Sequence, residues 1–345
     1  MQKENIYLRW LAEKTPTSWW NDSALLDDIA NAASNGAMGV TTNPLLVKRA
    51  LYHPARPWAD LLKSLPKSLS GEEKAEELCR MMILKISETQ MPLFRKTEGK
   101  HGWICAQVNP RLQGDREGML AMARRIHAWA PNIAVKLPVT SAGLDVLEEC
   151  AAEGISATGT VSFSVPQAVA VARHFRAGLK RARKNGIKDC RGFAVISVGR
   201  ADNYLTDVAL DNHANVEASD LTVCGTAMMK NAFRIFKEEK YEAELMPAGM
   251  NSAQHIVDLS GADNMVLSIP PRIQDMLAEL RGDFAPQIDK PVDPAVMKRL
   301  FTMPEFKRAY EPDGMKESEF IAMGSTQRTL SQYYDAGWLN IEEYV

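Results

Sequence analysis

A parallel α/β chain closed as a (β/α)8 TIM barrel, with a helical C-terminal extension, is the fold this sequence predicts, on three observations. Eight short runs rich in β-branched and apolar residues alternate with longer helical patterns up to residue 270. These runs carry apolar residues on both faces, as strands covered by helices require. Neither a GxGxxG after the first run nor a GxxxxGK[ST] occurs, so the rival doubly wound nucleotide-binding sheet lacks its fingerprint.

The strands are expected at 17–21 (TSWWN), 38–43 (MGVTTN), 102–108 (GWICAQV), 132–139 (NIAVKLPV), 156–163 (SATGTVSF), 192–199 (GFAVISVG), 243–249 (AELMPAG) and 264–270 (NMVLSIP). Helical periodicity predicts helices over 24–35, 116–130, 142–154 and 165–186. Two segments exceed what a barrel needs. An insertion near 50–101 reads as a loop followed by an amphipathic helix after the second strand. The barrel domain is thus assigned to 1–275. Residues 276–345 carry charged helical patterns punctuated by DKPVDP and EPDG, and read as an extension packing on the barrel or on a neighbouring subunit. A dangling tail would expose Trp338 and Tyr344.

Composition narrows the function classes. The 345 residues are 46% hydrophobic and 24% charged, an ordinary globular mixture. A net charge of −2 with both signs interspersed gives no footprint for nucleic acid or an anionic membrane. No apolar run approaches the length of a membrane span, and the charged N-terminal stretch lacks a signal-peptide core. Five scattered cysteines without a CxxC, and six histidines without an HExxH, suggest neither disulfides nor a metal site. The expectation is a cytoplasmic protein with no metal, no nucleic acid partner and no membrane partner.

Lys136 is the most informative residue. It lies inside the apolar run Ile133-Ala134-Val135-Lys136-Leu137-Pro138-Val139. A buried ammonium is costly, and burial favours the neutral amine that attacks a carbonyl to form a Schiff base. The alternative is a strand-end lysine whose head reaches solvent past its apolar stem. GVTTNP (39–44) places Thr41, Thr42 and Asn43 at a strand's C-terminal end, which faces the active site in a parallel barrel; a strand-terminating turn is the plainer reading. In SATGTVSFS (156–164), period-two alternation points Thr158, Thr160 and Ser162 to one face, although threonine is also simply a good strand residue. VGR (198–200) ends another strand with Arg200, suited to an anionic substrate group or to a surface pair with Asp202.

Together these pieces resemble the transaldolase and fructose 6-phosphate aldolase family of class I aldolases. The matching sections are GVTTNPLLV (39–47), AQVNPRLQGDREGM (106–119), the run from Asn132 to Ala168, VGRADNY (198–204) and VLSIPPRI (266–273). Their order follows the family over roughly residues 17 to 275. The resemblance implies Lys136 as the Schiff-base residue, donor-hydroxyl contacts from Thr42 and Asn43, and a water-positioning or hydroxyl-binding role for Thr160. Anion contact falls to Arg200. A ketose would condense with Lys136, its C3–C4 bond would break, and the retained dihydroxyacetone unit would pass to an aldehyde or be released. No cofactor is required, and because family members assemble as dimers or larger rings, a homo-oligomer is an expectation.

Five positions depart from the family pattern. The first-strand aspartate, counted back from TTNP without a gap, falls on Asn21, with Asp22 beside it. An amide cannot exchange a proton as a carboxylate does, and only a bulge would bring Asp22 inward if Asn21 faces the interior. The third strand carries Gln107 where transaldolases have a glutamate, as the fructose 6-phosphate aldolase branch does. Ser197 replaces an aromatic residue before VGR. At the phosphate end, Ala248 and Met250 stand where the family has a serine and a basic residue, leaving Arg200, with Arg272 as a compensating candidate. The expected substrate is therefore a ketose that is unphosphorylated, differently charged or longer than usual. Two alternatives remain open: another Schiff-base reaction (dehydration, isomerisation or a different lyase step), and a catalytically weak sugar-binding barrel.

Overall fold

The computed structural model describes residues 4–344. Eight strands appear in the expected order: β1 (Ser18–Asp22), β2 (Gly39–Thr41), β3 (Trp103–Gln107), β4 (Ile133–Pro138), β5 (Ala157–Thr160), β6 (Gly192–Ser197), β7 (Glu244–Ala248) and β8 (Val266–Ile269). All pair in parallel in the order β7-β6-β5-β4-β3-β2-β1-β8. The Leu245–Met265 bridge closes β7 against the start of β8, completing a (β/α)8 barrel. No helix among the described residues is long and apolar enough to cross a membrane.

Strand alternation sorts the side chains into two cores. Trp20, Trp103, Cys105, Ala134, Phe193, Val195, Met246 and Val266 fill the barrel interior, while Trp19, Val40, Ile104 and Val135 pack outward under the helices. Trp20 and Phe193 meet edge to face across the interior, with centroids 5.0 Å apart. Gly39 is needed opposite Trp20, because a Cβ there would lie 2.7 Å from the indole ring. This aromatic floor blocks the N-terminal end, so chemistry is confined to the other mouth.

The helices that follow the strands match the periodic patterns: Leu26–Ser34, Arg116–His127, Ser141–Ala152 and Val165–Lys184. The insertion is helical over more of its length than expected. It holds the helix Pro44–Leu51, a short turn at Ala59–Leu62 and a 26-residue helix, Gly71–Lys96, which serves as the crossover into β3.

Beyond β8 the extension runs around the barrel and then across its C-terminal mouth. Arg299 grips Asp220 through two hydrogen bonds of 2.6 Å, and the amide of Asn231 donates to the Tyr310 carbonyl. Helix Gly324–Tyr333 then leads into a π-helical turn, Tyr334–Trp338. The Arg111 guanidinium, past β3, lies 4.9 Å from the Tyr334 ring, and Gly337 packs on Pro44 and Leu45, past β2. Trp338 is buried, and Tyr344 meets the Tyr52 ring edge-on.

Candidate active site

Two residues beyond the apolar floor, the inward-facing position of six strands becomes polar. Trp20 gives way to Asp22, Cys105 to Gln107, Ala134 to Lys136, Val195 to Ser197, Val266 to Ser268 and Gly39 to Thr41. The period of two along each strand thus builds a polar ring at the C-terminal mouth, where parallel barrels place their chemistry. On β7 the same step leads from Met246 to Ala248, which supplies no polar group.

Lys136 is 4% exposed, and its Nζ donates to the Thr42 carbonyl at 3.2 Å. Gln107 and Thr158 flank it in register on β3 and β5. Among the described residues no carboxylate lies within ion-pair distance of it. The burial expected for a reacting lysine is therefore present, and snorkelling to solvent is not what this side chain does. Beneath it, burial pushes the Cys105 thiol upward in pKa, with Lys136 and Thr158 opposing.

Asp22 faces the same interior. Its Oδ1 accepts from the Thr41 hydroxyl at 2.7 Å, and Thr41 Oγ1 lies 2.6 Å from Ser268 Oγ. With Asp22 ionised, one proton per hydroxyl fixes the direction: Ser268 donates to Thr41, and Thr41 to the carboxylate. Burial raises the pKa of Asp22; the Lys136 ammonium and the Thr41 hydroxyl oppose this without cancelling it. A carboxyl shifted upward in a polar ring is suited to exchange protons.

Asn21 is not in the ring. The β1–β2 and β1–β8 registers run without a bulge, so Trp20 and Asp22 share the interior and Asn21 points outward. It is fully buried, and its Oδ1 accepts from Gln274 Nε2 at 2.8 Å. Gln274 in turn donates to the Ile269 carbonyl at 2.9 Å, so the amide ties β1 and β8 to the following helix, Pro271–Leu277. The residue expected at the acid/base position is thus a strut between barrel wall and helix layer, and its neighbour takes the interior place.

The hydroxyl-bearing segment also differs from expectation. β5 ends at Thr160 because Val161 adopts φ 57°, a left-handed conformation that is strained for a β-branched residue. Ser162 therefore leaves the wall, and its hydroxyl donates to the Val195 carbonyl at 2.5 Å. Thr158 and Thr160 share the interior; Ser162 does not. The Thr160 hydroxyl has no partner among the described residues and lies one step above Lys136, opposite Pro138. The Gln107 side-chain oxygen is likewise buried without a partner among the described residues, in a narrow space shared with Asn43 and Trp338. A buried acceptor left open in this way is available to a ligand. Asn43 caps helix Pro44–Leu51, accepting from the Leu46 amide at 3.0 Å, while the Thr42 hydroxyl donates to the Cys105 carbonyl at 2.7 Å.

At the far side of the ring, VGR is not strand. β6 ends at Ser197, and Val198–Arg200 form the first turn of helix Val198–Asp211. Arg200 Nη1 donates to Gln332 Oε1 at 2.7 Å and to Thr329 Oγ1 at 3.3 Å, with the Tyr333 ring 5.6 Å away. Asp202 does not pair with Arg200. It accepts from His255 Nε2 at 2.8 Å and from the Gly225 amide at 2.7 Å, all buried. Gly249, at φ 61°, turns the chain directly after Ala248, and Met250 is buried. Arg272 is exposed and donates to the Asn251 carbonyl at 3.5 Å.

Sequence reasoning missed Ser268, Thr329 and Gln332, and gave Thr41 no role. Ser268 had a signal, as the one hydroxyl in the apolar run VLSIP. The two extension residues had none, lying about 130 positions from their partner. Among the described residues no group of three or more His, Cys, Asp or Glu side chains is placed to hold a metal ion.

The chain is similar to known proteins over most of its length. The Transaldolase/Fructose-6-phosphate aldolase family profile matches residues 19–317. A transaldolase of Thiobacillus denitrificans is 30% identical over 232 residues, 64% of this chain and 64% of the relative. Transaldolase 2 of Streptomyces coelicolor is 26% identical over 282 residues, covering 79% of this chain and 73% of the relative. A transaldolase of Acidothermus cellulolyticus is 31% identical over 208 residues, 59% of this chain and 55% of the relative. The chain thus spans just under two thirds of the Thiobacillus protein's length and little over half of the Acidothermus one's. With a profile match across most of its length and a closed barrel carrying the polar ring, the chain belongs to the transaldolase/fructose-6-phosphate aldolase family.

Proposed function

We propose that this protein is a transaldolase-like class I aldolase in which Lys136 forms a Schiff base with a ketose donor. The observation that carries this reading is a buried lysine without a carboxylate partner, in a polar ring that also holds a carboxyl of raised pKa, Asp22. The free amine of Lys136 adds to the C2 carbonyl; the carbinolamine hydroxyl then takes up a proton and leaves as water, giving the protonated imine. Gln107, with its unpartnered side-chain oxygen, and Thr160, one step above Lys136, hold that water. Asp22 takes the proton of the C4 hydroxyl as the C3–C4 bond breaks. The bonding electrons pass into the imine, which becomes a neutral enamine, and the aldehyde fragment leaves.

The three-carbon enamine has two fates. Attack on an acceptor aldehyde, with Asp22 returning its proton to the new hydroxyl, is transfer. Protonation at carbon followed by hydrolysis releases dihydroxyacetone and regenerates the amine. Neither route needs a metal or organic cofactor. The departures at Ala248 and Met250 favour a non-standard sugar or sugar derivative as donor. The raised carboxyl on the interior removes the main reason for a different Schiff-base reaction, which rested on an amide at that place.

Borohydride reduction in the presence of a panel of ketoses and ketose phosphates, followed by peptide mass analysis, tests this. A ligand-dependent adduct on Lys136, absent in Lys136→Ala, is the expected outcome. A folded protein that traps no carbonyl compound would instead point to a sugar-binding barrel, whose ligand binding Lys136→Ala would leave intact.

A further inference from the structure

The family resemblance leads one to expect an anion at Arg200, yet the C-terminal extension already occupies that guanidinium. Gln332 offers its neutral amide oxygen at 2.7 Å, Thr329 its hydroxyl at 3.3 Å, and Tyr333 lies beside the charge. These contacts use Nη1 alone, and the remaining N–H groups have no partner among the described residues.

They border a cavity of about 320 Å³, within the size range of small-molecule sites. Its walls come from two parts of the chain. The barrel gives Arg200, Asn203 and Asn251; the extension gives Ser325, Thr329 and Gln332. The Ser325 hydroxyl is buried and lacks a partner among the described residues. The second guanidinium in the wall, Arg328, pairs with Asp207 at 2.8 Å.

The cavity borders the β6–β7 edge of the polar ring, where Gly249 directly follows Ala248. Gly249 lines it, and a Cβ built there would lie 3.4 Å from the Ser197 side chain and 3.5 Å from that of Arg200. Arg200 is also among the charges acting on Asp22. A ketose held at Lys136 would therefore extend its far end between the barrel and helix Gly324–Tyr333.

The chemistry of the lining decides what that end is. Amide and hydroxyl side chains both donate and accept, which suits sugar hydroxyls, since those also do both. A phosphate only accepts, so it would face the Gln332 oxygen, and binding Arg200 fully would require displacing that oxygen. Ala248 and Met250 offer no replacement donors.

We propose that Gln332 and Thr329, supported by Ser325, are specificity-determining residues that direct this site to ketoses with a long, neutral, hydroxyl-bearing end and against phosphate esters. The inference rests on the Schiff-base reading above. Its test compares borohydride-trapped adduct formation at Lys136 with matched probes, fructose against fructose 6-phosphate and sedoheptulose against its 7-phosphate. Wild type, Gln332→Ala and Gln332→Glu are compared, the last nearly isosteric and so guarding against a folding artefact.

Wild-type protein should favour the neutral sugars. Gln332→Ala should move the preference toward the phosphates by about tenfold or more, the scale of one charge-assisted hydrogen bond. Gln332→Glu should move it the other way, because its carboxylate repels the ester. Adducts whose phosphate preference ignores both substitutions, or a wild type that already prefers phosphates, would overturn the inference alone. No adduct with any of these sugars would remove the Schiff-base reading and the inference with it.

Discussion

The two halves of the barrel mouth differ in how their polar groups are held. On the β8-β1-β2-β3-β4 side, Ser268, Asp22, Thr41, Gln107 and Lys136 all come from strands, each two residues beyond an inward-facing position at the level of the apolar floor. Their positions are set by alternation and register, so little in this half moves without unmaking the sheet. On the β6–β7 side the strands supply only Ser197 and Ala248. The polar groups there come from the helix after β6 and from an extension helix about 130 residues downstream. On the proposed reading, bond-making chemistry sits on the rigid wall, and substrate reading sits where added chain can alter it with little disturbance to the barrel.

Substitutions in each half test this contrast. The largest expected effect is at Asp22. If it is the group that accepts the C4 hydroxyl proton, Asp22→Asn should lower turnover by about 10²- to 10⁴-fold, the usual contribution of a positioned acid/base. Comparable loss in Asn21→Ala, with Asp22 intact and the fold preserved, would reverse their roles. Thr41→Val should cost about tenfold, by removing one hydrogen bond to a charged group. It should also shift the acidic limb of the kcat/KM profile to higher pH, because that bond holds the Asp22 pKa down. An unmoved limb would make Thr41 a packing residue only.

The smallest effect is on stability, and its sign is informative. The folded protein binds the Asp22 proton more tightly than the unfolded chain does, because burial raises its pKa from the ordinary 3.8. Asp22 therefore favours folding below that unfolded value, and the benefit is lost as pH rises through the folded one. Asp22→Asn should then melt above wild type at pH 7, with the gap narrowing toward pH 4. A variant less stable than wild type at pH 7 would mean that the carboxylate is a structural group. No such trade between function and stability is expected from the Gln332 substitutions, whose effect belongs to substrate preference.

The same contrast governs what the sequence makes legible. All eight strands could be read because each is an apolar run bounded by turn residues, and Lys136 stood out as a charge within one of them. Side-chain direction in β1 was harder. SWWND alternates no polarity, because Trp19 and Trp20 are both buried, one outside the sheet and one inside. Nothing local therefore says whether Asn21 or Asp22 faces the interior; the pairing of Asp22 with Thr41 decides it. Val161 likewise shows no sign in sequence of its left-handed turn, because a β-branched residue ordinarily argues for continuing the strand. The Arg200–Gln332 contact depends on the path of the whole extension, which no local pattern encodes.

If Lys136 holds the ketose while Asp22 drives cleavage, the mass of the reduced adduct on Lys136 separates these two acts. Wild-type protein should carry a three-carbon dihydroxyacetone unit, whereas Asp22→Asn should carry the intact ketose, trapped before the C3–C4 bond breaks. A three-carbon adduct forming at the same rate in Asp22→Asn, or an intact ketose accumulating in both proteins, would contradict the account.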